Sequence, residues 1–351
     1  MANRGFKPSV CALGRAAPAA LLAAALCLAA VGLAAGLAVR PAAAQTFFRI
    51  GTGSEAGSEF QVGQVLADLL QPVITGEDCA MANCAGAPDL VAAQLSDGAL
   101  ANLADLRDGR LEAALVAAPA AAWAERGAGP FAASGPVSGL AAVAALYPVL
   151  LQVVTLERSA IRDIADLRGR RVSLDRPASA TEPIARRVLA AYGLEAADID
   201  ARYLEPGLAL ERLAAGRIDA FFALGGVPLE AVARLNAIAE IRLLPVSAAR
   251  LAEDEALAPV VTPATVPAGA YAELPAVETV ATTELLLVRD DLDANLVYEV
   301  TARLWAPETL RRLRAVHPLG DAVAIDRALD NLATPLHPGA ERFYRERGLL
   351  P

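Results

Sequence analysis

Between Phe48 and Gly63 the chain reads Phe-Arg-Ile-Gly-Thr-Gly-Ser-Glu-Ala-Gly-Ser-Glu-Phe-Gln-Val-Gly. Glycines at 51, 53 and 57 allow a tight turn and the close approach of a ligand to the backbone. Ser58 with Gln61 three residues on is a capping-box signature for a helix start. Val62, Val65, Leu66, Leu69 and Leu70 then recur at helical spacing. A buried strand over residues 47–50, a Gly/Ser loop and a helix N-terminus would make a cup of N–H groups at a positive dipole end. Such a cup suits a carboxylate or phosphate. The glycines match neither the dinucleotide fingerprint nor the Walker loop. An ordinary strand-to-helix turn of an α/β protein fits the same residues.

Other chemistry is thinly represented. His317 and His337 are far apart and each precedes a proline, which makes them turn residues rather than metal ligands; no metal and no cofactor are expected. No G-x-S-x-G elbow is present. The lone lysine, Lys7, lies in the N-terminal segment, so no later lysine can form a Schiff base or hold a phosphate. Enzymatic activity is not expected. A formal net charge of −9, without a basic patch bearing aromatics, argues against nucleic acid.

The 351 residues, 55% of them hydrophobic, suit two domains or one two-lobed unit. Arg4, Lys7 and Arg15 precede an Ala/Leu-rich run over 16–39, followed by Ala42-Ala43-Ala44-Gln45, the layout of a secretory signal. Cleavage after Ala44 would remove four basic residues and take the net charge from −9 to −13; the run is also long enough to remain as an anchor. Cys79 and Cys84 then stay in a Gly/Asp/Asn-rich loop. Outside the cytoplasm two cysteines five apart form a local disulfide; the rival, a metal site, lacks further soft ligands.

The elements that must carry these loops follow in order. A strand is expected over 91–95, a polar loop Ser96-Asp97-Gly98, a helix to Arg107, a strand over 110–116 and a short helix over 120–126. An apolar stretch over 143–155, interrupted at Tyr147-Pro148, reads as a strand leaving a first lobe. A short helix over 161–169 and a strand over 171–175 precede the loop Arg176-Pro-Ala-Ser-Ala-Thr-Glu, where Ser179 or Thr181 can cap the next helix. Leu210-Glu-Arg-Leu-Ala-Ala-Gly-Arg-Ile-Asp-Ala-Phe-Phe echoes Leu103-Ala-Asp-Leu-Arg-Asp-Gly-Arg-Leu-Glu-Ala-Ala-Leu. Each half thus holds strand, polar loop and helix, then helix, Gly-Arg and strand. Two such halves could hold a small ligand between facing loops. A strand over 241–246 follows. Residues 259–275, rich in Pro and Gly, are expected to cross the surface, 280–288 to return as a strand, and Asp293 to cap a helix.

The ordered set Ile50-Gly-Thr-Gly-Ser-x-x-Gly-Ser, Leu146-Tyr-Pro, Ile164-Ala-Asp-Leu-Arg-Gly-Arg-Arg-Val-Ser-Leu-Asp, Gly216-Arg-Ile-Asp-Ala-Phe-Phe and Leu336-His-Pro-Gly-Ala-Glu-Arg-Phe-Tyr resembles the TAXI-type periplasmic solute receptors of TRAP transporters. The resemblance runs from about Phe48 to Pro351. It implies an α/β, two-lobed type II periplasmic binding protein fold with a ligand cleft between lobes. The expected layout is a signal peptide at 1–44, the first part of lobe 1 at 45–152, lobe 2 at 153–278, and a return strand with C-terminal helices of lobe 1 at 279–351. It also implies a monomeric periplasmic receptor that binds a small organic anion, of amino acid or carboxylate class, and delivers it to a TRAP-type membrane permease. A ligand sensor that relays occupancy to a membrane partner is the alternative.

The chain departs from the family pattern at three places. Glu59-Phe60-Gln61 stands where relatives usually carry Tyr-Tyr-Pro or Tyr-Phe-Pro, Ala117-Ala118-Pro119 where they often have Gln-Ser-Asp, and Ala178-Ser179-Ala180-Thr181 where they have Gly-Ser-Gly-Thr. The expected ligand contacts are Gly53, Ser54 and Ser58, with Phe60 as a wall; Ser96, Asp97 and Ala99 from the second loop; Ser179, Ala180 and Thr181 as helix-terminus donors across the cleft; and Gly225 as backbone lining. Capping explains each serine equally well, and Asp97 fits a solvated turn.

Overall fold

A computed structural model describes residues 47–75 and 90–351. The expected signal segment and the Cys79–Cys84 disulfide lie outside the described residues. β1 (Phe47–Gly51), α1 (Ser58–Ile74), β2 (Leu90–Gln94), α2 (Ala99–Arg107), β3 (Ala113–Ala117) and α3 (Ala118–Arg126) lead to the 17-residue β4 (Leu140–Leu156). Next come β5 (Arg171–Ser173), α4 (Thr181–Ala191), β6 (Asp200–Arg202), α5 (Pro206–Ala214), β7 (Ala220–Gly225), α6 (Glu230–Ile238), β8 (Ile241–Leu244), α7 (Ala248–Leu251) and β9 (Thr262–Val266). The 13-residue β10 (Val277–Arg289) precedes α8 (Ala294–Leu304), α9 (Pro307–Val316) and α10 (Pro338–Glu346).

The strands run in the order β2-β1-β3-β10-β4-β7-β5-β6, with β8 added to β4 and β9 to β10. β1 is parallel to β2 and β3, and β5 is parallel to β6 and β7, so each half has a small parallel sheet. β4 and β10 lie antiparallel between these sheets and change partners along their length. β4 pairs with β10 over 140–150 and with β7 from Leu150 onward. β10 pairs with β9 over 277–281 and with β3 over 284–288. The two lobes therefore share two continuous strands. β4 is apolar almost throughout because it is covered on both faces, with only Pro148 less than fully buried.

Apolar cores hold the helices to these sheets. One lies under α1, α8, α9 and α10 and includes Phe48, Ile50, Leu66 and Phe343. Another lies under α5 and α6 around Phe221 and Leu235. A third runs without a break from α2 and α3 into α4, through Trp123, Ile184 and Leu189. Trp123 is fully buried, and its indole N–H donates to the Ala256 carbonyl at 3.2 Å. The Leu-His-Pro-Gly ending has a packing reason as well. His337 Nδ1 accepts from the Gly339 N–H at 3.2 Å. A Cβ on Gly339 would strike the Ala294 carbonyl, so glycine lets α10 lie close on α8. The Tyr344 hydroxyl then donates to the Val143 carbonyl of β4 at 3.0 Å.

The sequence echo has a structural counterpart. In the middle of β1, Arg49 gives Glu112 a backbone N–H at 2.7 Å, Nε at 3.0 Å and Nη2 at 2.7 Å. At the start of β5, Arg171 gives Asp219 the same three bonds at 2.8, 3.0 and 2.7 Å. In each lobe the acid after the Gly-Arg turn therefore fixes the register of the strand entering next to it.

Several local expectations change. The helix cap before α1 is Gly57, and no side chain caps it, so Ser58 and Gln61 form no capping box; both side chains reach the other lobe instead. The cap of α4 is Ala180, again without a side-chain cap bond. The helix expected over 161–169 is a 3-10 turn, Ile164–Leu167, boxed by Asp163 and Asp166. The Pro-rich surface stretch holds β9, which pairs with β10 alone. A strand with one partner tolerates Pro263, because its missing N–H need not face a neighbour.

Removing one clasp tests its weight. Glu112→Ala leaves the Arg49 backbone N–H without that acceptor and the guanidinium with the Gly109 carbonyl in its place. With the arginine side chain one-third exposed, the expected loss is about 1 kcal/mol, a fall of a few degrees in thermal melting. An unchanged melting temperature would reduce the clasp to a surface ion pair.

Candidate functional site

The loops that follow the parallel strands of both lobes face one cavity. Lobe 1 contributes Thr52, Gly53, Ser54, Gly57 and Glu59, then Gly98 and Ala99, then Leu115 and Ala117 of β3. Across from them stand Asp175, Arg176, Ser179, Ala180, Thr181, Pro206, Leu224 and Leu229, and Glu284 of the shared β10 forms the back. The cavity offers about 60 Å³ to the centres of water-sized atoms, room for a few waters or a small molecule. An open groove continues outward past Phe60, Ser96, Arg176 and Glu205.

The first loop is held from behind. Thr52 Oγ1 donates to the Gln94 carbonyl at 2.8 Å. The Thr52 carbonyl accepts from Asn102 Nδ2 at 2.7 Å and from Ser96 Oγ at 2.8 Å. Asn102, fully buried on α2, also donates to the Leu115 carbonyl at 3.0 Å, so it ties both loops to β3. On the far side Asp175 has φ +71°, a left-handed conformation that turns the chain sharply after β5. Its carboxylate accepts the Arg176 N–H at 2.7 Å.

Beside the cavity, and apart from the Trp123–Ala256 bond, the described residues join the lobes by these hydrogen bonds. The Ala178 carbonyl accepts the Leu100 N–H at 2.9 Å and the Ala101 N–H at 3.4 Å, capping α2 from the opposite lobe. Arg176 binds Asp97 Oδ1 through Nη1 and the Ser96 carbonyl through Nη2, both at 3.0 Å. Ser58 Oγ accepts the Gly226 N–H at 3.3 Å. Gln61 Nε2 donates to Glu230 Oε2 at 2.9 Å.

Of the expected contacts, Gly53, Ser54, Ala99, Ser179, Ala180 and Thr181 line the cavity, and Phe60 and Ser96 line the outer groove. Ser58 and Asp97 instead join the lobes. Gly225 lies behind Leu229. The first N–H groups of α2 are already taken by the Ala178 carbonyl.

The residues that sequence reasoning passed over are the acids. Glu284 is 2% exposed, and none of the described residues donates a hydrogen bond to it or pairs with it. It faces Tyr147 on β4, beside a register shift between Glu284 and Leu285 that marks a bulge. Burial, reinforced by the charge of Glu59, pushes its carboxyl well above the usual range. Burial also pushes Glu59 up to about 7, with Asp175 adding to the effect. Glu59 is half-buried and lines the cavity. Asp175, 7% exposed, is pushed up to about 6 by burial, against the pull of the Arg176 N–H. Two signals for these acids were present: Glu59 replaces a tyrosine of the resembling family, and Glu284 interrupts an apolar strand.

Comparison with known proteins places this geometry in a family. The model of the NMT1-like family matches residues 50–348, and the chain belongs to that family. A solved structure of a Bordetella bronchiseptica RB50 protein is similar over 85% of this chain and 82% of its own, at 16% identity and TM-score 0.50. The periplasmic aliphatic sulphonate binding protein SsuA of Escherichia coli covers 88% of this chain and 94% of its own, at 17% identity and TM-score 0.44. The alkanesulfonate-binding protein SsuA of Xanthomonas axonopodis pv. citri, bound to MOPS, covers 88% and 96%, at 17% and 0.47. At such identities the likeness is one of fold. The chain has a mixed α/β fold, as expected from its sequence.

The raised carboxyls make stability depend on pH. Glu59 at about 7 and Asp175 at about 6 stand above their ordinary values of 4.5 and 3.8. The folded protein therefore holds protons that the unfolded chain has released. Stability from these groups is full below about pH 4 and is lost as pH rises through about 6 and 7. Ligand-free Glu59→Gln should match the parent near pH 4 and melt a few degrees above it at pH 8. A difference that stays constant with pH would show that Glu59 does not titrate in this window.

Proposed function

We propose that this member of the NMT1-like family is an extracytoplasmic solute receptor, which closes its two lobes on a small molecule and delivers it to a membrane permease. The observation that carries this reading is the cavity between lobes, lined from both and bounded by direct hydrogen bonds across the cleft. The only covalent paths between the lobes are strands and their connections, and β4 and β10 can flex where they change partners near Leu150 and Ala281. Lobe closure is the structural means by which such a protein encloses a solute, and the closed form is what a permease can recognise.

The sequence resemblance to TAXI-type receptors supports a permease of TRAP type. It also supports a periplasmic location with residues 1–44 as the signal, and lobe limits of 45–152 with 279–351 for the first lobe and 153–278 for the second. The closed cavity suits a small solute.

Binding and closure are tested together. A solute at about a thousand times its dissociation constant stabilises by roughly 4 kcal/mol, so a thermal-shift screen of amino acids, dicarboxylates, 2-oxo acids, amines and neutral compounds should give one clear response. Gly98 has φ +116°, and a Cβ there would lie 2.8 Å from Ser179 Cα and 3.2 Å from the Ala178 carbonyl. Gly98→Val should therefore hold the lobes apart, weaken the responding solute at least tenfold, and abolish the decrease in radius of gyration seen on binding by small-angle scattering. Undiminished affinity in Gly98→Val would sink the closing-cleft mechanism.

A further inference from the structure

We infer that the solute of this cleft is a small organic cation, an ammonium, amidinium or guanidinium on a short carbon body, whose charge sits among Glu59, Asp175 and Glu284. The inference rests on the receptor reading above and assigns the chemical class of its solute.

The three acids come from three separate parts of the chain: the first turn of α1, the loop after β5, and the shared strand β10. All three line the same cavity. The cation that also lines it, Arg176, has turned its two terminal nitrogens to Asp97 and the Ser96 carbonyl at the mouth. An anionic solute would thus enter a site holding three carboxyls, with the Arg176 terminal donors engaged and the α2 N-terminus already capped by Ala178. Water is scarce there, so whichever acid is ionised is poorly screened and an added anion beside it would be costly.

A second observation points the same way. Glu284 is 2% exposed, aimed into the cavity, and has no partner among the described residues. Beside it stands the Tyr147 hydroxyl, on a residue 1% exposed and next to Ser58. A buried carboxyl with nothing to pair with is rare and calls for a missing group. A protonated amine or guanidinium supplies both the charge and the donors. Among the described residues no three of His, Cys, Asp and Glu converge as the ligands of one metal ion, so the charge is better spread over an organic head group. Leu115, Leu224 and Leu229 give the carbon body an apolar wall. Arg176 Nε–H, buried and unpaired, provides one donor for an acceptor at the other end of the solute.

The groups that face the bound charge are Glu59 from α1, Asp175 and Arg176 from the loop before α4, Glu284 from β10 and Tyr147 from β4. In the empty cleft the acids are relieved by protons, and a cation would replace them. Binding should therefore release protons and tighten as pH rises.

The test uses the purified full chain, unfolded and refolded to strip carried ligand. Isothermal titration would be run at pH 6 and pH 8, in buffers of different ionisation enthalpy, with putrescine, agmatine, ethanolamine and guanidinium, and with glutamate, succinate and 2-oxoglutarate. The expected result is that one of the cations binds, releases protons, and is at least tenfold tighter at pH 8. Glu284→Gln and Glu59→Gln should each weaken it tenfold or more; the second variant stands in if the first fails to fold. Binding of a carboxylate with no response to the cations would overturn the inference and leave the receptor reading intact. Cation binding that both variants leave unchanged would also overturn it, because the charge would then sit elsewhere. Silence from both panels would count against the inference and the receptor reading together.

Discussion

A carboxyl group taken out of water must find a cation, hydrogen-bond donors or a proton. In this protein Glu284 finds none of the first two among the described residues, and that shortage shapes the whole cleft. The residue lies on the strand both lobes share, at a bulge that re-aims it, with Tyr147 opposite and Glu59 close enough to feel its charge. Replacing it with a leucine would suit the strand better, since its neighbours Leu285, Leu286 and Leu287 are fully buried. An acid on a strand that both lobes share is thus a specific disadvantage to folding, and it gains meaning only if something else enters the cavity.

The frame around this site is built twice from the same parts. Each lobe uses a short parallel sheet whose entering strand is clasped by an arginine and an acid, Arg49 with Glu112 and Arg171 with Asp219. The clasps stand away from the cavity, so they fix register without touching the solute. Register decides which loops reach the cleft: a slip of one residue in β1 or β5 would turn Thr52 or Asp175 away from it. The long strands β4 and β10 then join the two copies, and the core that runs through Trp123 into α4 gives one side of the junction a continuous apolar filling.

Much of this frame was legible in the sequence because it rests on local rules. The glycine loop before α1, the stops at Gly109 and Gly216, the long apolar runs of β4 and β10, and the Asp293 cap follow from periodicity and backbone preference. The Gly-Arg echo even pointed to the paired acids. The site was less legible because its chemistry is tertiary. Ser58 and Gln61 carry the letters of a capping box, yet their side chains bond across the cleft to Gly226 and Glu230. Nothing local to α2 foretells that the opposite lobe supplies the Ala178 carbonyl to its first N–H groups. Glu284 was visible as an acid in an apolar strand, but only the bulge and the pairing with Tyr147 show that it points into a cavity. β9 was hidden by prolines that an edge strand can accommodate.

The same contacts explain how a cleft of this kind could stay open until it is filled. Closure brings together attractive pairs: Ala178 with the α2 N-terminus, Arg176 with Asp97, Ser58 with Gly226, and Gln61 with Glu230. These bonds alone would favour an empty closed form. Closure also carries Asp175 of one lobe toward Glu59 of the other and Glu284 of the hinge, removing water from all three. Each step of that approach raises the free energy of the empty closed state unless protons bind. A solute that pairs with the acids removes the opposing term and leaves the cross-cleft bonds to act. A ligand shifts a two-state equilibrium only by its differential affinity for the two states. Here that difference lies mainly in the carboxyls, because the latching bonds are the same with or without solute. The acids thus set the threshold for closure, and the cross-cleft hydrogen bonds set how firmly the lobes hold once it is passed.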